Sequence, residues 1–242
     1  MRMNKENIIA QLQQEILQMQ GFTPHSGNSV RLGLGPLEAA FPNGVFPTAA
    51  VHEFMCHSIE EIAATEGFIA AIVAAFMKSD MVCIWISKSP HLFPPSLTAL
   101  GITPDRIIFI RLKREVDVLW ALEEALKCEG IAAVIGELKD ISLTASRRFQ
   151  LAVEKSHVTG IIIRQYPRDL NTNACTARWN ISPRPSELQE RMPGIGYPRW
   201  NVELQKVRNG KPGVWLLEHA AGKFATVTTK DPRQHTSARK IG

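Results

Sequence analysis

The feature that most constrains this chain is a regular alternation, between residues 49 and 164, of short apolar runs with longer helix-like segments. The runs fall at 49–55, 81–87, 106–111, 131–135 and 158–164, and the segments between them at 60–78, 94–100, 115–128 and 142–156. The run Met81-Val82-Cys83-Ile84-Trp85-Ile86-Ser87 has no polar residue until its end, as expected of a strand covered on both faces. Strands separated by helices run parallel, and the helices cover the sheet they connect. After Tyr166-Pro167 the pattern changes to period two, over 176–182, 200–208 and 214–219, with a last strand at 224–228. Asn209-Gly210 between two of these strands is a two-residue hairpin turn. The expected fold class is α/β: a mostly parallel sheet flanked by helices and extended by C-terminal antiparallel strands.

The flanks read differently. Ile8, Ile9, Leu12, Ile16, Leu17 and Met19 recur at helical spacing across 7–20, Gly21 follows as a stop, and 23–29 is polar with Pro24 and Gly27. The expected organisation is an N-terminal amphipathic helix and linker over 1–30, a core domain over 31–228, and a disordered basic tail over 229–242. The net charge of +5 owes much to that tail, where Lys230, Arg233, Arg239 and Lys240 face only Asp231. No stretch approaches the ~20 apolar residues of a membrane span, and no apolar signal region follows Met1-Arg2-Met3. The expected location is the cytoplasm, with no membrane partner. Cys56, Cys83, Cys128 and Cys175 are scattered without a Cys-x-x-Cys pair, which argues for reduced thiols and against a zinc ribbon.

Ligands of a parallel sheet bind outside the carboxyl ends of its strands. The first strand runs into Cys56-His57-Ser58-Ile59-Glu60-Glu61. A phosphate-binding loop there needs glycines that free backbone N–H groups, a Lys, and a hydroxyl for the metal. The segment has no glycine before Gly67, and Glu60, Glu61 and Glu66 would repel a triphosphate. The second strand ends in Lys88 where an acid would be needed to activate water. The fourth, Ile131 to Glu137, resembles a Walker B strand in which Gly136 holds the Asp place and Glu137 follows. Glu137 reads as a structural remnant, or as paired with Lys139 or Arg147. His52-Glu53-Phe54-Met55-Cys56-His57 superficially resembles a zinc-protease motif, but the second His comes one residue late, on a strand. A Cys56–His57 thiol pair and a Ser58/His57/Glu60 triad are weaker readings, because sequence neighbours rarely align for proton transfer and no Gly-x-Ser-x-Gly elbow exists. The expected site is therefore a degenerate phosphate-loop region at Cys56, His57 and Ser58, with no catalytic residue, cofactor or metal.

The order of several blocks resembles the ImuA family, RecA-like and SulA-like accessory proteins of bacterial error-prone translesion synthesis. The blocks are Leu34-Gly35-Pro36 through Pro47 with Val51-His52-Glu53-Phe54, then Glu66-Gly67-Phe68, Trp85-Ile86, and Ala99-Leu100-Gly101-Ile102. Leu119-Trp120-Ala121-Leu122-Glu123-Glu124-Ala125-Leu126, Arg147-Arg148-Phe149-Gln150, Thr176-Ala177-Arg178-Trp179, Pro198-Arg199-Trp200 and Gly213-Val214-Trp215 complete the resemblance, over 34–226. It implies a RecA-like fold without a working phosphate loop and a role in DNA damage tolerance within the SOS response. The implied partners are ImuB, an inactive Y-family polymerase homologue, an error-prone DNA polymerase subunit and RecA. It supplies no catalytic residue. Similarity to the cell-division inhibitor SulA, which acts on FtsZ, is the alternative, disfavoured by the antiparallel C-terminal part and the Trp120 block. Beside the adaptor reading stand a cryptic nucleotide enzyme using Glu137, and DNA binding through Arg147, Arg148 and the cations of the tail, with RecA modulation as its consequence.

Overall fold

The computed structural model describes residues 32–77, 81–88, 92–168, 171–187, 194 and 196–227. The expected N-terminal helix, its linker and the basic tail with Lys230, Arg233, Arg239 and Lys240 lie outside the described residues.

The alternation read from the sequence is realised strand by strand. β1 (Val51–Cys56), β2 (Val82–Ser87), β3 (Ile107–Arg111), β4 (Ile131–Leu138) and β5 (Thr159–Gln165) are joined by three helices, α1 (Ile59–Phe76), α2 (Glu115–Leu126) and α3 (Leu143–Ser156). A 3-10 helix, Pro94–Leu100, lies between β2 and β3 and ends at Gly101, whose φ of 97° only glycine adopts cheaply. β6 (Ala177–Arg184), β7 (Arg199–Val207), β8 (Gly213–Ala220) and β9 (Lys223–Thr226) follow. The nine strands of the described residues form one sheet in the order β3-β2-β4-β5-β1-β6-β7-β8-β9.

The chain leaves β1 in one direction toward β2, then returns in the other through β4 and β5. Right-handed crossovers running in opposite directions put their helices on opposite faces. Accordingly α1 packs against β1, β4, β5 and β6, while α2 and α3 lie together, α2 over β2 and β4 and α3 over β1 and β5. The α2/α3 face is mostly aliphatic, with Val118, Leu122 and Val153 beside Phe149 against Ile84, Val134 and Ile162. The α1 face is aromatic. Phe54 stacks on Trp179 with centroids 5.7 Å apart, and Phe68 of α1 meets Trp179, Trp200 and Phe224 at 6.3, 5.6 and 5.8 Å.

The period-two strands divide unevenly. β7, β8 and β9 are antiparallel, but β6 pairs parallel with β1 on one side and antiparallel with β7 on the other. It is the joint between the two parts of the sheet. The Asn209-Gly210 turn has Asn209 at φ 56°. A Cβ on Gly210 would lie 2.2 Å from the Ala40 carbonyl oxygen, so the turn sits directly on the 3-10 helix Gly35–Ala40.

Candidate functional site

The carboxyl ends of β2, β4 and β5 line a depression of about 170 Å³ bounded by Lys88, Glu115, Glu137, Lys139, Gln165 and Tyr166. Glu137 is 4% exposed. Its Oε1 accepts from Trp85 Nε1 at 2.7 Å and its Oε2 from Gln165 Nε2 at 3.0 Å. These partners come from β2 and β5. Alternation along β4 points the side chain of residue 137 to the α1 face. β4 also runs on to Leu138, past the end expected at Ile135. Gly136 does not stop it, because glycine is there for room. A Cβ on Gly136 would stand 2.4 Å from Leu122 Cδ1 and 2.7 Å from its Cγ.

Behind Glu137 sits Glu66 of α1, 5% exposed, whose Oε1 has no hydrogen-bond partner among the described residues. Burial pushes its carboxyl up to about 8, and Glu137 adds to the shift. Cys56, at the end of β1, donates to Thr65 Oγ1 at 3.3 Å. Burial drives its thiol up to about 12, and Glu61, Glu66 and Glu137 contribute. Burial thus favours the protonated thiol.

The β1–α1 connection is two residues, His57 and Ser58. Ser58 is the N-cap: its Oγ accepts from Glu61 N at 3.2 Å. Glu61 turns back, so that Oε2 accepts from His57 N at 2.7 Å and from Asn180 Nδ2 at 3.2 Å. This is close to a capping box, shifted by one residue. The positive end of the helix, where an anion would bind, is thus occupied by the chain's own carboxylate.

The zinc-protease likeness comes apart on opposite faces of β1. His52 is buried on the aromatic face, stacked on Phe46 at 4.6 Å. Its Nε2 donates to Pro47 O at 2.7 Å, and its Nδ1 faces Trp179 Nε1 at 3.4 Å. Burial holds its pKa down at about 4. Glu53 points the other way, and His57 is exposed. Among the described residues no group of three or more His, Cys, Asp or Glu is placed to hold a metal.

Glu53 instead anchors a buried charge network that the sequence reading missed. Its Oε1 accepts from Arg164 Nη1 at 2.9 Å and Asn173 Nδ2 at 2.7 Å, and its Oε2 from Arg178 Nε at 2.6 Å. Arg164, fully buried on β5, also reaches Asp140 Oδ1 at 2.5 Å and Asn171 Oδ1 at 3.0 Å. The signal was present: Glu53 inside an apolar strand and Arg164 ending Ile161-Ile162-Ile163 are charges that burial tolerates only in pairs. Of the two helix arginines, Arg148 bridges to Glu123 of α2, whereas Arg147 is exposed on α3.

The fold and this edge define an α/β protein whose mostly parallel sheet is covered on both faces and closes its carboxyl end over its own acids. No family model matches the chain. Proteins named ImuA from two strains of Caulobacter vibrioides are each 34% identical to it over 194 residues, covering 75% of this chain and 80% of theirs. The chain belongs to the ImuA family. No helix among the described residues is long and apolar enough to cross a membrane.

Proposed function

We propose that this chain is a non-catalytic accessory protein of DNA damage tolerance, a RecA-type scaffold with a degenerate phosphate loop that works by holding other proteins. In this reading it supports mutagenic translesion synthesis together with an ImuB-like inactive polymerase homologue and an error-prone polymerase subunit. The observation that carries it is Glu61 folded back over the α1 N-terminus, bonded to His57 N at 2.7 Å. A nucleotide phosphate would have to displace that carboxylate and then face Glu66 and Glu137. Gly136 supports the same conclusion, since an Asp there would collide with Leu122. Family membership supplies the biological setting.

Two measurements test the reading. Titration with a fluorescent ATP analogue is expected to show no saturable binding; a Kd below about 100 μM, roughly −5.5 kcal/mol, would return the chain to the nucleotide enzymes. A pull-down with the cognate ImuB-like protein is expected to recover a complex at micromolar concentration, and failure to do so removes the adaptor role.

A further inference from the structure

We infer that the open edge of β3 is a docking strand, to which an extended acidic segment of a partner protein adds as a further strand of the sheet. The inference rests on the adaptor reading and names the surface it would use. Among the described residues β3 ends the strand order and pairs only with β2. Leu112 N donates to Ser87 O at 3.0 Å, so in a parallel ladder the even-numbered residues turn their N–H and C=O groups toward β2. Phe109 and Arg111 turn theirs outward. Ile107 keeps its N–H on Pro104 O, leaving its carbonyl outward as well.

Edge strands are normally blunted by Pro, Lys, bulges or inward charges. The stretch Ile107-Ile108-Phe109-Ile110 carries none of these. Ile108 is 49% exposed and Phe109 42% exposed, on opposite faces of the strand. A strand laid alongside would cover both with alternate side chains, the mode by which sheets capture peptides. Charge selects the occupant. Arg111 and Lys113 stand exposed at the carboxyl end of this edge. The nearest acids on α2 are engaged elsewhere, Asp117 with Arg114 at 2.6 Å and Glu115 with Lys139 N at 2.8 Å. A segment with aliphatic residues at alternate positions and carboxylates at one end fits. The chain's own segment 21–31, which has no carboxylate and ends in Arg31, does not complement these cations.

The test uses the full chain and two fluorescein-labelled ten-residue peptides of alternating valine and threonine, with three glutamates at either the amino or the carboxyl end. Anisotropy is expected to show one of the two binding; that polarity reports whether the added strand is antiparallel or parallel. The same peptide with lysines for glutamates is expected to bind at least about tenfold more weakly, near 1.4 kcal/mol. Phe109→Pro removes an outward N–H without touching the β2 ladder and should abolish binding. The double variant Arg111→Glu, Lys113→Glu should invert the preference to the lysine peptide, a result that misfolding cannot produce. Absence of binding, equal binding of both charge types, or no inversion overturns the inference. So does a dimer of the chain that Phe109→Pro dissolves, which would assign the edge to a second copy. Failure of the wild-type chain to capture the ImuB-like protein, with peptide binding intact, sinks the adaptor reading and leaves the edge assignment standing.

Discussion

Glu66 and His52 are both buried between α1 and the sheet, and their titrations oppose each other. The Glu66 carboxyl is pushed up from 4.5 to about 8 by burial and then by Glu137. The folded state holds that proton, so its stabilisation is complete below pH 4.5 and is lost as pH rises through 8. His52 is pushed down from 6.5 to about 4 by burial. Its stabilisation is complete above pH 6.5 and is lost as pH falls through 4. Between 4.5 and 6.5 the two slopes cancel, and above 6.5 only Glu66 acts. Glu66→Gln should therefore raise stability above pH 8 by up to roughly 5 kcal/mol and expose the His52 slope on the acid side. Urea midpoints measured across pH check both; an unchanged profile would mean that Glu66 is not held protonated. Gly136 offers a second residue-scale test. Gly136→Ala puts a methyl within 2.4 Å of Leu122 and should cost about 1–3 kcal/mol, with Leu122→Ala in the same chain relieving part of the strain. Reading Gly136 only as a missing Asp left this packing role out, because the contact between Gly136 and Leu122 of α2 exists only once helix and strand pack.

At the scale of elements, the strands and helices of the parallel half were legible because each carries its own period and its own stops. Ser58 and Ser142 cap α1 and α3, and Gly101 ends the 3-10 helix before β3. The role of β6 was not legible. A strand with one covered face alternates in the same way whether its neighbour runs parallel or antiparallel, so nothing local distinguished it from β7. The Glu53–Arg164–Arg178 network was hidden for a related reason: its members lie on β1, β5 and β6, which meet only in the folded sheet. It holds the connection between β5 and β6 through Asn171 and Asn173. Arg164→Met leaves Glu53 buried with half its compensation and should cost about 3–5 kcal/mol. Arg164→Met with Glu53→Gln should recover part of that loss. Thermal melts of the single and double variants decide, and a double variant no better than the single would show that Arg164 acts through packing alone.

For the molecule as a whole, the question is whether the parallel and antiparallel parts of the sheet are one cooperative unit. β6 belongs to both ladders, and Phe68 on α1 touches Trp179 of β6, Trp200 of β7 and Phe224 of β9. Neither part can lose its packing without uncovering this aromatic core, so the two should unfold together. Trp85 on β2 reports on one part and Trp200 on β7 on the other. Two variants, each retaining only one of these tryptophans, are expected to give the same urea midpoint as helix circular dichroism on the same variant. Phe68→Ala should cost about 3–5 kcal/mol of stability and lower both midpoints in step. An earlier transition at Trp200, with Trp85 unmoved, would instead make the antiparallel strands a separable layer. That distinction bears on function, because a partner segment added at β3 reaches the antiparallel end only through strands that move as one body.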